Sequence, residues 1–173
     1  MSAFVAVICG LKSEAAAIKA SLAAAKIDAD KVRIGVSGAN AARAEDLAEG
    51  LIAAGARAVI SAGLCGGLAP DLRPGDLIIG ERVVSASGDV ILSDRNLLAA
   101  APHSAPKVAI FGSDDIIDSA QKKALIFGRY ASQTVDMESH GAARAAARAS
   151  APFIAVRAVA DGASRALPKA ALG

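Results

Sequence analysis

Aromatic side chains are nearly absent from this chain, with no tryptophan, one tyrosine and four phenylalanines among 173 residues. Proteins grip nucleic acids by stacking bases on aromatic rings or by dense positive charge. Aromatics make up 3%, the net charge is +2 and the basic residues are scattered, so no nucleic-acid partner is expected. Histidine and cysteine are equally scarce. His103, His140, Cys9 and Cys65 nowhere fall at metal-ligand spacing, and no metal is expected. The two cysteines lie in apolar or glycine-rich contexts and read as small buried thiols of a reduced protein. No apolar run approaches the roughly 20 residues of a membrane-spanning helix. The apolar start, residues 1–10, lacks a basic flank and a cleavage-like site. A cytoplasmic location is expected, with no transmembrane segment.

What the chain does have is aliphatic. Hydrophobic residues reach 54%, so the core has to be aliphatic and tightly packed, with abundant alanine letting helices and strands approach closely. The length suits a single domain over residues 1–173 with one sizeable core. Residues 3–9 form a continuous apolar run, the pattern of a strand buried on both faces. A helix is predicted over 13–26, a strand over 32–36, and an amphipathic helix over 41–54 with Gly55 as its stop. A third strand over 58–62 runs into Gly63-Leu64-Cys65-Gly66-Gly67. Turn residues crowd 70–76, a β-rich stretch covers 77–85, and Ser87-Gly88-Asp89 before 90–92 marks a hairpin. Further strands are predicted at 107–111, 133–137 and 153–160, with helices at 116–127 and 138–149. This alternation predicts a three-layer α/β/α domain with a mixed, mostly parallel central sheet.

Two acids stand where strands end. Glu138 follows Val135-Asp136-Met137, and Asp161 ends the apolar run 153–160. In open α/β sheets that edge is where ligands bind. Each acid also has an ordinary reading: a carboxylate at a helix start is favoured by the helix dipole, and an aspartate before Gly162 can cap a turn. Glu14 is a third acid, just after the first strand. Arg157 lies inside an apolar strand and needs a buried partner. The glycine cluster at 63–67 lets backbone amides approach a ligand, but it has neither the dinucleotide fingerprint nor a phosphate-loop Lys-Ser/Thr, and a structural tight turn explains it as well. Arg144 and Arg148, four apart on an alanine-rich helix, read as a solvated face. His140 receives no catalytic role, and Asp114-Asp115 reads as a loop or cap.

Several motifs together resemble the nucleoside phosphorylase and nucleosidase superfamily. They are Ser61-Ala62-Gly63-Leu64-Cys65-Gly66-Gly67-Leu68, Pro70-Asp71-Leu72-Arg73-Pro74-Gly75-Asp76-Leu77, Asp136-Met137-Glu138-Ser139 and Val156-Arg157-Ala158-Val159-Ala160-Asp161. Asp136-Met137-Glu138-Ser139-His140 with Ser164-Arg165-Ala166-Leu167-Pro168 most resembles the hopanoid-associated phosphorylase branch. The resemblance implies a nucleoside phosphorylase-like fold and cleavage of a nucleoside's N-glycosidic bond. It implies that Glu138, beside Met137, binds the ribose hydroxyls, that Asp161 helps protonate the purine, and that Glu14 helps activate water. Gly63, Leu64, Cys65 and Gly66 would border the ribose and the nucleophile, with Arg157 beside them.

The substrate so implied is a 5′-modified adenosine, lipid-linked in the hopanoid branch as adenosylhopane, with a methylthioadenosine/S-adenosylhomocysteine-type nucleosidase as the alternative. No cofactor is expected, phosphate entering only as a co-substrate, and the superfamily implies a homo-oligomer. Ala160 replaces the serine or threonine that many relatives carry before the aspartate. Ser61 and Leu64 stand where phosphorolytic members hold phosphate, which tilts the acceptor toward water. These departures also keep open a catalytically inactive nucleoside-binding protein. The segment between Val83 and Lys107 is shorter than in methylthioadenosine nucleosidases, which would open the sugar's 5′ side.

Overall fold

The structure, a computed structural model, describes residues 3–166; Leu167 and Pro168 of the quoted motifs lie outside them. In chain order the elements are β1 (Phe4–Cys9), α1 (Lys12–Ala24), β2 (Val32–Val36), α2 (Ala41–Ala53), β3 (Ala56–Gly67), β4 (Leu77–Ser85), β5 (Val90–Leu92), α3 (Arg95–Ala100), β6 (Lys107–Gly112), α4 (Ala120–Tyr130), β7 (Thr134–Asp136), α5 (Ser139–Arg148) and β8 (Phe153–Asp161). This is the expected α/β architecture with a mixed sheet. β1 pairs in parallel with β2 and β3, β3 with β8, β4 with β6, and β6 with β7. The antiparallel pairs are β3 with β7, β4 with β5, and β4 with β8.

These pairings differ from an open sheet in one respect: β3, β8, β4, β6 and β7 close on themselves, and β1 and β2 extend the ring outward from β3. The cause lies in the glycine cluster, which is not a loop. β3 continues through it to Gly67, shifts register between Cys65 and Gly66, and turns from β8 toward β7. Side chains would obstruct that crossing. A Cβ on Gly66 would stand 3.2 Å from Val135 Cγ1, and one on Gly67 would stand 3.1 Å from the Asp161 carbonyl oxygen.

Alternation along the strands separates the two faces of the sheet. Val59, Ile78, Phe153 and Ala155 point into the main core. Their neighbours Ile60, Ile79, Ile154 and Val156 point into a second cluster with Leu97 and Leu98 of α3. The main core is covered by α2 and α5, whose contact is built from the fully buried alanines Ala44, Ala48, Ala142 and Ala146. The approach is so close that a Cβ on Gly141 would fall 2.1 Å from the Ala41 carbonyl oxygen.

Several local expectations are corrected. Arg144 and Arg148 are not a free solvated face: Arg144 bonds Glu45 at 2.7 and 2.9 Å, and Arg148 pairs with Glu45 and Glu49, tying α5 to α2. Helix α4 starts at Ala120, capped by the Ser119 hydroxyl, which accepts from Lys122 N at 3.3 Å. It ends at Tyr130 and is followed by Ala131, whose φ of 49° is left-handed. Helix α3 was not expected. Its signal is Asp94, whose carboxylate accepts from Asn96 N and Leu97 N at 2.9 and 3.1 Å.

Candidate active site

Strand ends and helix starts bring Glu14, Glu138 and Arg157 together. Glu14 lies in the first turn of α1 and reaches back, its Oε2 accepting from Gly10 N at 2.9 Å and Leu11 N at 2.8 Å. Its Oε1 accepts from Leu64 N on β3 at 2.7 Å. Three backbone donors therefore fix this carboxylate between β1 and β3. Glu138 is the residue before α5. Its own amide donates to Asp136 Oδ1 at 3.1 Å, a turn that carries the chain from β7 into the helix and turns the Glu138 side chain toward β1. A Cβ on Gly10 would stand 2.4 Å from Glu138 Oε1 and 3.4 Å from Glu14 Oε2. Gly10 is thus the gap through which the two carboxylates approach each other.

Arg157 finds the partners that its buried position on β8 demands. Its side chain is completely buried, with Nε 2.7 Å from Asp136 Oδ2 and Nη2 3.3 Å from Glu138 Oε2. Nη2 also donates to the hydroxyls of Ser61 at 2.6 Å and Ser139 at 2.9 Å. Nε meets Asp136 as an ion contact rather than as an aligned hydrogen bond, and Nη1 has no hydrogen-bond partner among the described residues. Nη1 is directed at Gly63: a Cβ there would stand 2.7 Å from Nη1 and 2.6 Å from Glu14 Oε1. One anionic and one cationic group thus face the same small space over Gly63.

The charges are unbalanced, since Glu14, Glu138 and Asp136 surround one guanidinium. Burial pushes Glu138 up to about 7. Arg157 opposes the rise, and Asp136 and Glu14 add to it. Burial also works against the charge of Arg157, but Asp136 and Glu138 hold it above its ordinary value.

Asp161 occupies the far end of the same strand. Its carboxylate lies over Gly66, with Oδ1 3.6 Å from where a Cβ would be. It forms an ion pair with Lys123 of α4. Lys123 was not anticipated: one basic residue in a helix that also carries Lys122 offers no sequence signal of burial. The adjoining cavity, of about 660 Å³, is lined by Leu68, Pro70, Arg73, Gly162 and Arg165 among others.

The remaining predicted residues divide. Leu64 offers its amide to Glu14 and leaves its side chain 47% exposed. Met137 is half-buried and borders a second cavity with Ile116 and Ile117. Cys65 turns its side chain into the main core, where burial pushes the thiol up to about 12, so it stays protonated and only its backbone borders the site. His140 is buried with Nε2 3.0 Å from Asp114 Oδ1. Among the described residues no group of three or more His, Cys, Asp or Glu side chains could hold a metal, and no helix is long and apolar enough to cross a membrane.

A family model described as Phosphorylase superfamily matches residues 5–111, and the chain belongs to that superfamily, a class of enzymes. The match runs from β1 into β6, so it includes Glu14 and the β3 glycines but stops short of Glu138, Arg157 and Asp161. No curated protein matches the chain. Among solved structures the chain is similar to futalosine hydrolase of Helicobacter pylori strain 26695, with 17% identity, TM-score 0.81, and 92% of this chain and 85% of that one covered. It is also similar to 5′-methylthioadenosine/S-adenosylhomocysteine nucleosidase from Neisseria meningitidis in complex with methylthio-immucillin-A, with 22% identity, TM-score 0.82, and coverage of 95% and 87%. The Helicobacter pylori MTAN-D198N mutant, with 5′-methylthioadenosine in its active site, matches at 18% identity, TM-score 0.81, and 95% and 87% coverage. These likenesses are of fold.

Proposed function

We propose that the protein hydrolyses the N-glycosidic bond of a purine nucleoside, releasing adenine from a 5′-modified adenosine. The observation that carries the proposal is the convergence of Glu14, Glu138 and Arg157 on the gaps left by Gly10 and Gly63, with Asp161 four residues farther along β8. In this reading Glu138 accepts hydrogen bonds from the ribose hydroxyls. Water sits over Gly63 between Glu14 Oε1 and Arg157 Nη1, and Glu14 takes its proton as it attacks the sugar carbon. The C–N bond breaks toward the base, and Asp161 delivers the proton that makes the base a neutral leaving group. The sugar passes through an oxocarbenium-like state that carboxylates stabilise.

Charge favours water over phosphate as acceptor. A phosphate dianion beside Glu14 and Glu138 would meet two carboxylates, and the charge of the one guanidinium there is already matched by Asp136 and Glu138. The exposed Leu64 side chain suits an apolar 5′ substituent. The hopanoid-like motifs make adenosylhopane one member of that substrate class. Methylthioadenosine and S-adenosylhomocysteine are others to test, and futalosine, which carries a different base, tests the preference for adenine.

The test incubates the purified protein with these four compounds, with and without phosphate, and follows base release by chromatography. Adenine, or the futalosine base, released at a rate independent of phosphate is expected, and Asp161→Asn abolishes it. Release that requires phosphate overturns the hydrolytic reading. No release from any compound leaves a nucleoside-binding protein.

A further inference from the structure

The most unusual group outside the described acids is Lys123. Only 1% of its surface is exposed, and all three ammonium hydrogens are engaged: by Asp161 Oδ2, by the Gly162 carbonyl at 2.8 Å and by the Arg165 carbonyl at 3.1 Å. A lysine buried this deeply costs folding energy unless its charge is matched, and here the match is the proposed purine-side acid. Two roles fit such a contact. Lys123 could only pin the chain leaving β8, through the two carbonyls. A lysine placed for that alone has no need of the third bond, to a carboxylate over the β3 glycines.

We infer that Lys123 is a positioning residue that stores the proton Asp161 delivers to the departing base. The inference rests on the glycosidic reading above. An ammonium–carboxylate pair differs from an amine–carboxylic acid pair only by one proton moved along one hydrogen bond. As the C–N bond breaks, its electron pair goes to the base, and one proton moves from Lys123 Nζ to the Asp161 carboxylate and on to the base nitrogen, which leaves a neutral amine beside the Asp161 carboxylate. The water that attacks the sugar gives its proton to Glu14, which releases it to solvent, and solvent returns one proton to the Lys123–Asp161 pair. Lys123 itself is closed off from solvent, so its proton comes back through Asp161, whose side chain is 13% exposed.

Other ionisable groups around the pair do not substitute for Lys123. Cys65 on β3 keeps its proton. On α4 and just before it, Lys122 and Asp118 pair with each other at 2.8 Å. Arg73 and Arg165 line the adjoining cavity and, as guanidiniums, do not release protons. Asp136 and Arg157 are engaged with each other on the sugar side.

The experiment measures the pH dependence of kcat/KM for base release in wild type, Lys123→Met, Lys123→Arg and Asp161→Asn, with thermal unfolding of each. A lone carboxyl gives up its proton at lower pH than an ammonium–carboxylate pair does. The alkaline limb of Lys123→Met should therefore move down by at least one pH unit, with activity above neutral pH falling more than tenfold. Lys123→Arg, which keeps the charge but cannot release the proton, should not restore it. A Lys123→Met profile that is only scaled down, or full rescue by arginine, reduces Lys123 to a structural tie and overturns the inference. If Lys123→Met does not fold, wild type decides: activity already lost on the alkaline side by about pH 5, the range in which a lone carboxyl ionises, has the same consequence. Asp161→Asn with unchanged turnover would instead remove the glycosidic reading beneath it, so the two failures are distinct.

Discussion

Replacing Glu138 by glutamine should stabilise the protein, and should do so only above a definable pH. Glu138 is pushed up to about 7 in the fold, from an ordinary value of 4.5. Between those two values the folded chain binds a proton that the unfolded chain has released, so folding stability falls as pH rises through that window. The slope is that of one proton, about 1.4 kcal/mol per pH unit, which over the whole window comes to about 3 kcal/mol. Glutamine has the shape of the protonated acid and does not titrate. Wild type and Glu138→Gln should match near pH 4.5 and diverge upward, the variant leading by up to about 3 kcal/mol at pH 8. For a chain of this size that is roughly 6–12 °C in Tm. Urea denaturation followed by circular dichroism at half-unit steps from pH 4.5 to 8 measures the gap directly. A gap that stays flat, or that grows in favour of wild type, refutes the electrostatic account, because Arg157 would then be satisfying the ionised carboxylate in full.

Two glycines make further predictions. Gly63→Ala places a methyl group within 2.6–2.7 Å of Glu14 Oε1 and Arg157 Nη1; Glu14 must turn aside, and kcat/KM should fall on the order of 100-fold with the far-ultraviolet spectrum kept. Gly141→Ala would improve helix propensity by about 1 kcal/mol on an isolated helix. Here it drives a carbon into the Ala41 carbonyl, so the net effect should be destabilising by about 1–3 kcal/mol, read as a lower urea midpoint with unchanged m-value.

The architecture was legible because its signals are local. Apolar runs of strand length alternate with amphipathic helical stretches, and Asn40 sits as a cap next to the helix it starts. The acids were legible as three separate residues at element boundaries. What could not be read was contact at long range. The closure of the sheet depends on β3 bending at Cys65–Gly66, and a glycine cluster that bends a strand looks in sequence like one that makes a loop. The Arg144 and Arg148 bridges require α2 and α5 to be neighbours, which periodicity within either helix does not encode. Lys123 is the sharpest case. It and Lys122 are adjacent in an ordinary helix, yet one is exposed and the other fully buried. The difference follows from Asp161, 38 residues later, and from the Gly162 and Arg165 carbonyls beyond it.

The middle of β8, at Arg157, and its end, at Asp161, are electrically unlike, and the difference matches what the proposed reaction requires of each side of the bond. Around Arg157 three carboxylates face one guanidinium, and the surplus is large enough that Glu138 takes up a proton near neutral pH. Such a pocket favours positive charge, the sign that grows on a sugar as its bond to a base breaks. Around Asp161 the charges cancel within a single ion pair, so that side has no net preference for a charged base but holds a transferable proton. Exchanging the two arrangements would fail on both counts: a neutral pair would not stabilise the sugar cation, and a surplus of carboxylates would repel the electron-rich leaving base. This asymmetry also bears on the acceptor, since an anionic nucleophile would have to enter from the anionic side. A neutral water does not meet that barrier, and base release by water should therefore be slowed little by added salt, whereas any residual phosphorolysis should rise as salt screens the carboxylates.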